Sequence, residues 1–303
     1  MITFFTTGKP FRGHDGIIQR NALKSWTLLH PDVEVILFGD EQGSAEVCAE
    51  LGLRHEPYVE RNGRVPYVKF MFARAQQIAR HDYLCYSNCD IVLFKDFLRA
   101  FDLALAWKKR FLMVAQRWDT DVTEPVTFAE DGWAKKLRQF ARTHGFRQHP
   151  NFIDFFLFSK GLYEGVPPLV VGYCYWDHWM VWKALSSGVP VLDASLFILP
   201  IHQNHGYSPE SQRTHDSTTD AGSLRNYELC QNGKQLRSIQ DSTHRITRDG
   251  RIRRTRFRRV LESAPVLKVR QLLAEKTFWV RNRLGLRRET VERVRGAPPT
   301  SLN

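Results

Sequence analysis

The chain of 303 residues has no long apolar run. Its apolar stretches, such as Phe155 to Phe158, are only a few residues long, whereas a membrane-spanning helix needs about 20. Cysteine is scarce, and the five present (Cys48, Cys85, Cys89, Cys174, Cys230) form no Cys-x-x-Cys pair. That argues against a zinc knuckle and against a disulfide framework, and predicts reduced thiols in a cytoplasmic protein. No Gly-x-Gly-x-x-Gly follows the first apolar segment; Gly13 and Gly16 have the wrong spacing. This disfavours a dinucleotide-dependent dehydrogenase or a Rossmann methyltransferase. No Gly-x-Ser-x-Gly elbow is present, which disfavours a serine hydrolase. The opening Met1-Ile-Thr-Phe-Phe5 lacks a basic n-region, so a secretory signal is not expected. No internal repeat is visible.

What is present suits a globular enzyme-sized core. Hydrophobic residues make up 43% and charged residues 25%, enough to bury one large domain or two small ones. The net charge of +12 is not spread evenly. Between Arg245 and Arg295 there are 17 Lys and Arg against 5 Asp and Glu, so this stretch alone carries the whole surplus. The remainder is neutral, which sets the tail apart as a separate element. The expected division is a domain over 1–245, a basic amphipathic helical tail over 246–295, and a disordered end over 296–303.

The first ninety residues alternate between strand and helix patterns. Phe4 to Thr7 reads as a strand. Ile18, Ala22, Trp26 and Leu29 form a helical stripe that Asp15 can cap. Val33 to Phe38 is a strand ending in Gly39-Asp40, and Ser44 to Leu51 a short helix. Pro66 suits the first turn of a helix carrying Phe70, Met71 and Ile78. Tyr83 to Tyr86 is then a buried strand. This βαβαβ rhythm predicts an α/β fold, a parallel sheet with helical crossovers on both faces. Further on, Phe111 to Ala115 and Phe152 to Phe158 read as strands, and Trp133 to Thr143 as a helix. Asp119 to Thr127 reads as a loop, Tyr175 to Ala184 as an aromatic helix start, and Val189 to Asp193 as a strand. Ile201 to Ser208 is polar and rich in histidine.

Asn88-Cys89-Asp90 follows the Tyr83 strand directly. Ligands of open α/β sheets gather outside the carboxyl ends of the strands, and a carboxylate there offers hard oxygen ligands to a divalent metal that can hold a diphosphate. Ser-Asn-Cys-Asp is also ordinary turn chemistry. The segment resembles the Asp-x-Asp motif of GT-A nucleotide-sugar glycosyltransferases, with an amide in place of the first acid. The resemblance covers residues 1 to about 208. Four blocks carry it in order: Phe4 to Pro10, Tyr86 to Ile91, Asp154 to Ser159 with Trp176-Asp-His-Trp179, and His202-Gln-Asn-His205.

The resemblance implies a GT-A-like, Rossmann-type sheet and a sugar transfer from a nucleotide-diphosphate donor, UDP being favoured. The acceptor would be a glycan or a lipid-linked hydroxyl, as in polysaccharide or glycolipid synthesis. It implies Mn²⁺ or Mg²⁺ on Asp90, with His205, and next to it His202, as the C-terminal metal ligand. It places Thr6, Thr7 and Lys9 at the donor's base and ribose, and Asn88 at the metal or the ribose. Lys69 or Arg64 would meet the pyrophosphate. Asp177 is the candidate general base of an inverting transfer; the other reading makes it a helix N-cap in an aromatic core. Asp154 is the second acidic candidate, because an acid inside an apolar strand must find partners.

Two other classes stay open. Asn88 in place of an acid suits a non-catalytic carbohydrate- or nucleotide-binding protein on a degenerate transferase fold. The basic tail suits nucleic acid, although no recognised nucleic-acid module accompanies it. Val266, Val269, Leu273, Val280 and Leu284 form an apolar stripe among the arginines, with Phe278 and Trp279 nearby. The tail therefore also suits peripheral contact with anionic lipid on the inner face of a membrane, or packing on the catalytic domain.

Overall fold

The computed structural model describes residues 1–205 and 220–255. β1 (Ile2–Thr7) leads into α1 (Gly13–Thr27), β2 (Glu34–Phe38), α2 (Ser44–Leu51) and β3 (Arg54–Glu56). A small hairpin of β4 (Arg61–Asn62) and β5 (Val65–Pro66) precedes α3 (Val68–Ile78). Next come β6 (Tyr83–Ser87), β7 (Ile91–Val92), α4 (Lys95–Trp107), β8 (Leu112–Val114) and β9 (Trp118–Thr120). α5 (Trp133–His144), β10 (Phe146–Arg147), β11 (Phe155–Ser159), α6 (Trp176–Ser186), β12 (Val191–Asp193) and β13 (Ile201–Gln203) follow. α7 (Ala221–Leu229), β14 (His244–Ile246) and β15 (Ile252–Arg254) complete the described chain.

Nine strands form the central sheet in the order β15-β14-β12-β8-β11-β6-β1-β2-β3. It is parallel except for β11 and β15, which run against their neighbours. Side chains alternate between its two faces. Phe5, Leu84, Tyr86, Phe156 and Phe158 pack with Phe72 of α3 and Trp179 and Met180 of α6. Ile2, Phe4, Cys85, Phe155 and Leu157 pack with Ala22 and Trp26 of α1 and Phe97 and Phe101 of α4. A strand buried on both faces is apolar at every position, which is why Tyr83 to Tyr86 and Phe155 to Phe158 read as continuous runs. Burying each such aromatic contributes roughly 1.5–3 kcal/mol.

A second sheet, β10-β9-β13-β7, stands beside the carboxyl end of β6. α5 closes on it through Ala141 and Leu137. Gly145 ends that helix against β9: a Cβ there would lie 2.5 Å from the Asp119 carbonyl oxygen, so only glycine allows this approach. Trp26 Nε1 donates to the Ile91 carbonyl at 2.8 Å and the Leu93 amide to Ser25 Oγ at 3.2 Å, tying β7 to α1.

Several local expectations change. Asp15 does not cap α1, whose N-cap is Arg12; it sits in the first turn. Pro66 ends β5, and α3 starts at Val68 after Tyr67. Phe152 lies outside β11, which begins at Phe155. The expected loop at 119 and the polar segment at 201 each contain a strand of the second sheet. Strand register, not local propensity, decides these two. The compact unit extends to Thr255, past the expected boundary at 245, because Arg253 and Arg254 pair with Arg245 and His244. The helical reading from Arg251 therefore fails for 252–254. The rest of the basic tail and the 296–303 end lie outside the described residues.

Candidate functional site

Asp90 sits in the turn between β6 and β7, at the carboxyl end of the parallel strands. Two strand pairings bring the other groups to it. β13 pairs antiparallel with β7, setting His202 opposite Ile91, and parallel with β9, setting His202 opposite Asp119. Gln203 locks this arrangement. Its Nε2 donates to the carbonyls of Ile18 at 2.8 Å and Asp90 at 3.1 Å, while its Oε1 accepts from Asn21 at 2.9 Å.

The Asp90 carboxylate thus faces two imidazoles. His202 Nε2 lies 3.6 Å and His205 Nε2 3.3 Å from Oδ2. One ligand atom from each of the three residues falls within a span of 4.8 Å. Asp90 Oδ1 is buried with no hydrogen-bond partner. A buried polar atom without a partner is costly, and a cation bound among these groups would satisfy it. Two nitrogens and a carboxylate suit Mn²⁺ better than Ca²⁺, so the residues present fit a divalent transition ion.

The electrostatics follow from burial and pairing. Desolvation opposes ionisation of Asp90, but His202, His205 and Arg117 outweigh it and hold its pKa at about 2. Desolvation likewise works against a charged His202, yet Asp90 and Asp119 together raise its pKa. Asp119 is depressed despite burial by His202 and Arg117. Arg117 Nε donates to Asp119 Oδ1 at 2.7 Å, and its Nη1 donates to Asp154 Oδ1 at 2.8 Å. Asp119 Oδ1 in turn lies 3.2 Å from His202 Nδ1. A carboxylate on the far nitrogen orients an imidazole and makes it a better ligand.

An open cavity of about 830 Å³ lies in front of Asp90. Thr7, Lys9, Asn88, Asp90 and His205 line it, and so do Asp15, Glu41, Arg61, Arg64 and Gly172. Lys9 Nζ sits 3.4 Å from Asp15 and 3.5 Å from His205 Nδ1. Thr7 Oγ1 has no partner. Thr6, by contrast, is wholly buried, and its hydroxyl donates to the Thr7 carbonyl at 3.3 Å, away from the cavity lining.

Two expected residues stand apart. Lys69 pairs with Glu60 at 3.3 Å, lies over the Tyr67 ring, and lines a different cavity. A solvated α3 face is its place, not the Asp90 cavity. Asp177 is in the first turn of α6; the N-cap is Tyr175, so the capping alternative does not hold. Asp177 does not line the Asp90 cavity. Burial, reinforced by Asp154, raises its pKa. Asp154 is buried, with Oδ1 taken by Asn88 and Arg117.

Arg117, Asp119, Gln203, Glu41 and Arg61 were not singled out by sequence. Arg117-Trp-Asp119 offered a basic–aromatic–acidic triplet after the Phe111 strand, but exposed charges are so common that it was no signal without the register of β9 on β13.

No protein-family model matches the chain, and no curated protein matches it by sequence. Among solved structures it is similar to glucosyl-3-phosphoglycerate synthase from Mycobacterium tuberculosis in complex with Mg²⁺ and uridine diphosphate. That match has 11% identity and a TM-score of 0.47, over 78% of this chain and 79% of that one. It is also similar to residues 1–349 of S. aureus TarS in complex with UDP-GlcNAc. There the identity is 10% and the TM-score 0.48, over 75% of this chain and 64% of that one. Likeness at this level decides nothing about chemistry, which has to come from this chain's own residues.

Proposed function

We propose that this chain is a metal-assisted glycosyltransferase of GT-A type, transferring a sugar from a nucleoside-diphosphate donor to an acceptor hydroxyl. The observation that carries the reading is the convergence of Asp90, His202 and His205 at the carboxyl end of a parallel sheet, where Asp90 and His205 line the cavity and His202 stands buried behind them. Asp90, His205 and His202 would hold Mn²⁺ or Mg²⁺. When bound, the ion supplies charge neutralisation for the departing diphosphate. Thr7 and Lys9 are the donor-facing groups, with Arg61 and Arg64 as further cations on the same cavity. Thr6 supports the strand end behind them. Asp177, if the transfer inverts, is the group assigned to remove the acceptor proton; burial, with Asp154 nearby, raises its pKa.

UDP is the favoured donor nucleotide, and a glycan or lipid-linked hydroxyl the acceptor. Among the described residues no helix is long and apolar enough to cross a membrane. Contact with anionic lipid through the basic tail is the corresponding proposal for where the enzyme works. The second reading, a non-catalytic nucleotide or carbohydrate binder, is favoured by Asn88 alone.

Calorimetric titration with UDP, GDP, CMP and ADP, with and without Mn²⁺, tests the reading. One nucleotide binding tightly only with metal is expected, and Asp90→Ala should abolish that dependence. Absence of nucleotide binding under every condition would sink it.

A further inference from the structure

Asn88 stands where the Asp-x-Asp pattern has its first acid, yet its amide is spent on protein. Nδ2 donates to Asp154 Oδ1 at 2.8 Å, and Oδ1 accepts from the Tyr86 hydroxyl at 3.1 Å. The Asn88 backbone amide donates to the Asp154 carbonyl at 2.8 Å, fixing the two residues side by side. Asp154 Oδ1 also accepts from Arg117 Nη1 at 2.8 Å, and Arg117 holds Asp119, which faces His202 Nδ1. A continuous path therefore runs Asn88–Asp154–Arg117–Asp119–His202 and reaches Asp90 through His202. Arg117, Asp119, Asp154 and His202 are all less than a tenth exposed.

A carboxylate at position 88 would set an anionic oxygen against Asp154 Oδ1, where only a donor now fits. Such a contact needs a trapped proton or an opened site. The charges agree. Asp119 and Asp154 already share one guanidinium, and Asp177 adds to the negative field at Asp154. A further carboxylate at position 88 would add a buried charge with no new cation beside it.

We propose that Asn88 and Asp154 are an exchanged pair: Asp154 carries the charge that the first acid of the motif would carry, and Asn88 is a positioning residue that donates to it, not a metal ligand. Asp154 keeps Oδ2 buried and without a partner, so it retains an acceptor for a bound water or ligand. This rests on the metal-site reading of Asp90, but its test has an arm that needs no metal.

The experiment compares the parent chain with Asn88→Asp, Asp154→Asn and the double exchange Asn88→Asp/Asp154→Asn. Thermal melting is followed without metal from about pH 5 to pH 8, and Mn²⁺ binding is measured by calorimetry. Asn88→Asp should melt about 5–10 °C lower, with the loss growing as pH rises, and should bind Mn²⁺ no more tightly than the parent. Asp154→Asn should weaken Mn²⁺ binding by about tenfold or more. The double exchange should recover most of the melting temperature and of the Mn²⁺ affinity. Asn88→Asp melting like the parent and binding Mn²⁺ more tightly would overturn the proposal, and so would a double exchange no better than Asn88→Asp alone. A parent that binds no Mn²⁺ would overturn the transferase reading instead, and metal-free melting would still decide the exchange.

Discussion

Asp90 has two sides, and they are built differently. The cavity side carries Lys9–Asp15 and Arg61–Glu41 pairs at 3.4 and 2.8 Å, and Lys9 and Asp15 have side chains 48% and 36% exposed. The sheet side carries Arg117 between Asp119 and Asp154, with side chains 6–10% exposed. Exposed pairs are screened and contribute little. Buried ones hold each other in place, and removing one partner strands a charge. The cavity side can therefore exchange its partners for a ligand at small cost, while the sheet side fixes geometry.

This contrast can be broken first at Arg117. Arg117→Met should cost about 3–5 kcal/mol, because Asp119 and Asp154 would lose their shared cation. At roughly 2–4 °C per kcal/mol for a domain of this size, melting should fall by about 10 °C. A chemical denaturation midpoint equal to the parent's would show that the cluster is not holding the fold.

Next in size is His205→Ala. This residue meets Asp90 from the cavity side, so the variant should lose Mn²⁺ affinity by about tenfold or more while melting close to the parent without metal. Calorimetry and a melt on the same sample separate the two effects.

A third effect is the pH response of the metal-free protein. His202 titrates above its ordinary value, so its stabilising contribution is complete below about pH 6.5 and is lost as pH rises through its folded pKa. Asp90, held at about 2, contributes above its ordinary range near pH 4 and loses that contribution as pH falls toward 2. Melting temperature across a pH series should therefore decline on the alkaline side in the parent, and His202→Gln should flatten that decline. Mn²⁺ affinity should move the opposite way and rise with pH, since both imidazoles must be neutral to bind.

The smallest effect belongs to the cavity rim. Asp15→Asn removes a partly exposed partner of Lys9 and should change stability by less than about 1 kcal/mol. Lys69→Ala, on a different cavity, should leave nucleotide binding unchanged; a large loss in calorimetry would place Lys69 on the donor path after all.

Residues 1–90 were legible because their contacts are periodic. The stripe of Ile18, Ala22 and Trp26 and the apolar strands announce which faces are buried, and a carboxylate directly after a buried strand is conspicuous. Asp90 came from that kind of reading, whereas Lys9, Thr7 and the two histidines were singled out only through the resemblance to GT-A transferases. The middle was less legible because β7, β9 and β13 are only two or three residues each. Such strands carry no periodicity and exist only because they pair. Asp119 read as loop for that reason, and Arg117 drew no reading at all.

Sequence alone determined the alternation of strand and helix, the two-faced burial of the sheet, the place of Asp90 at a strand end and the concentration of positive charge after Arg245. These are local properties, set by side-chain period and composition. Tertiary structure decided that His202 lies between Asp90 and Asp119, that Arg117 joins two acids, that Asn88 serves Asp154 and that Lys69 belongs elsewhere. Each of those depends on pairing between segments far apart in the chain, where register within a small sheet, rather than any residue's own preference, sets which charges meet.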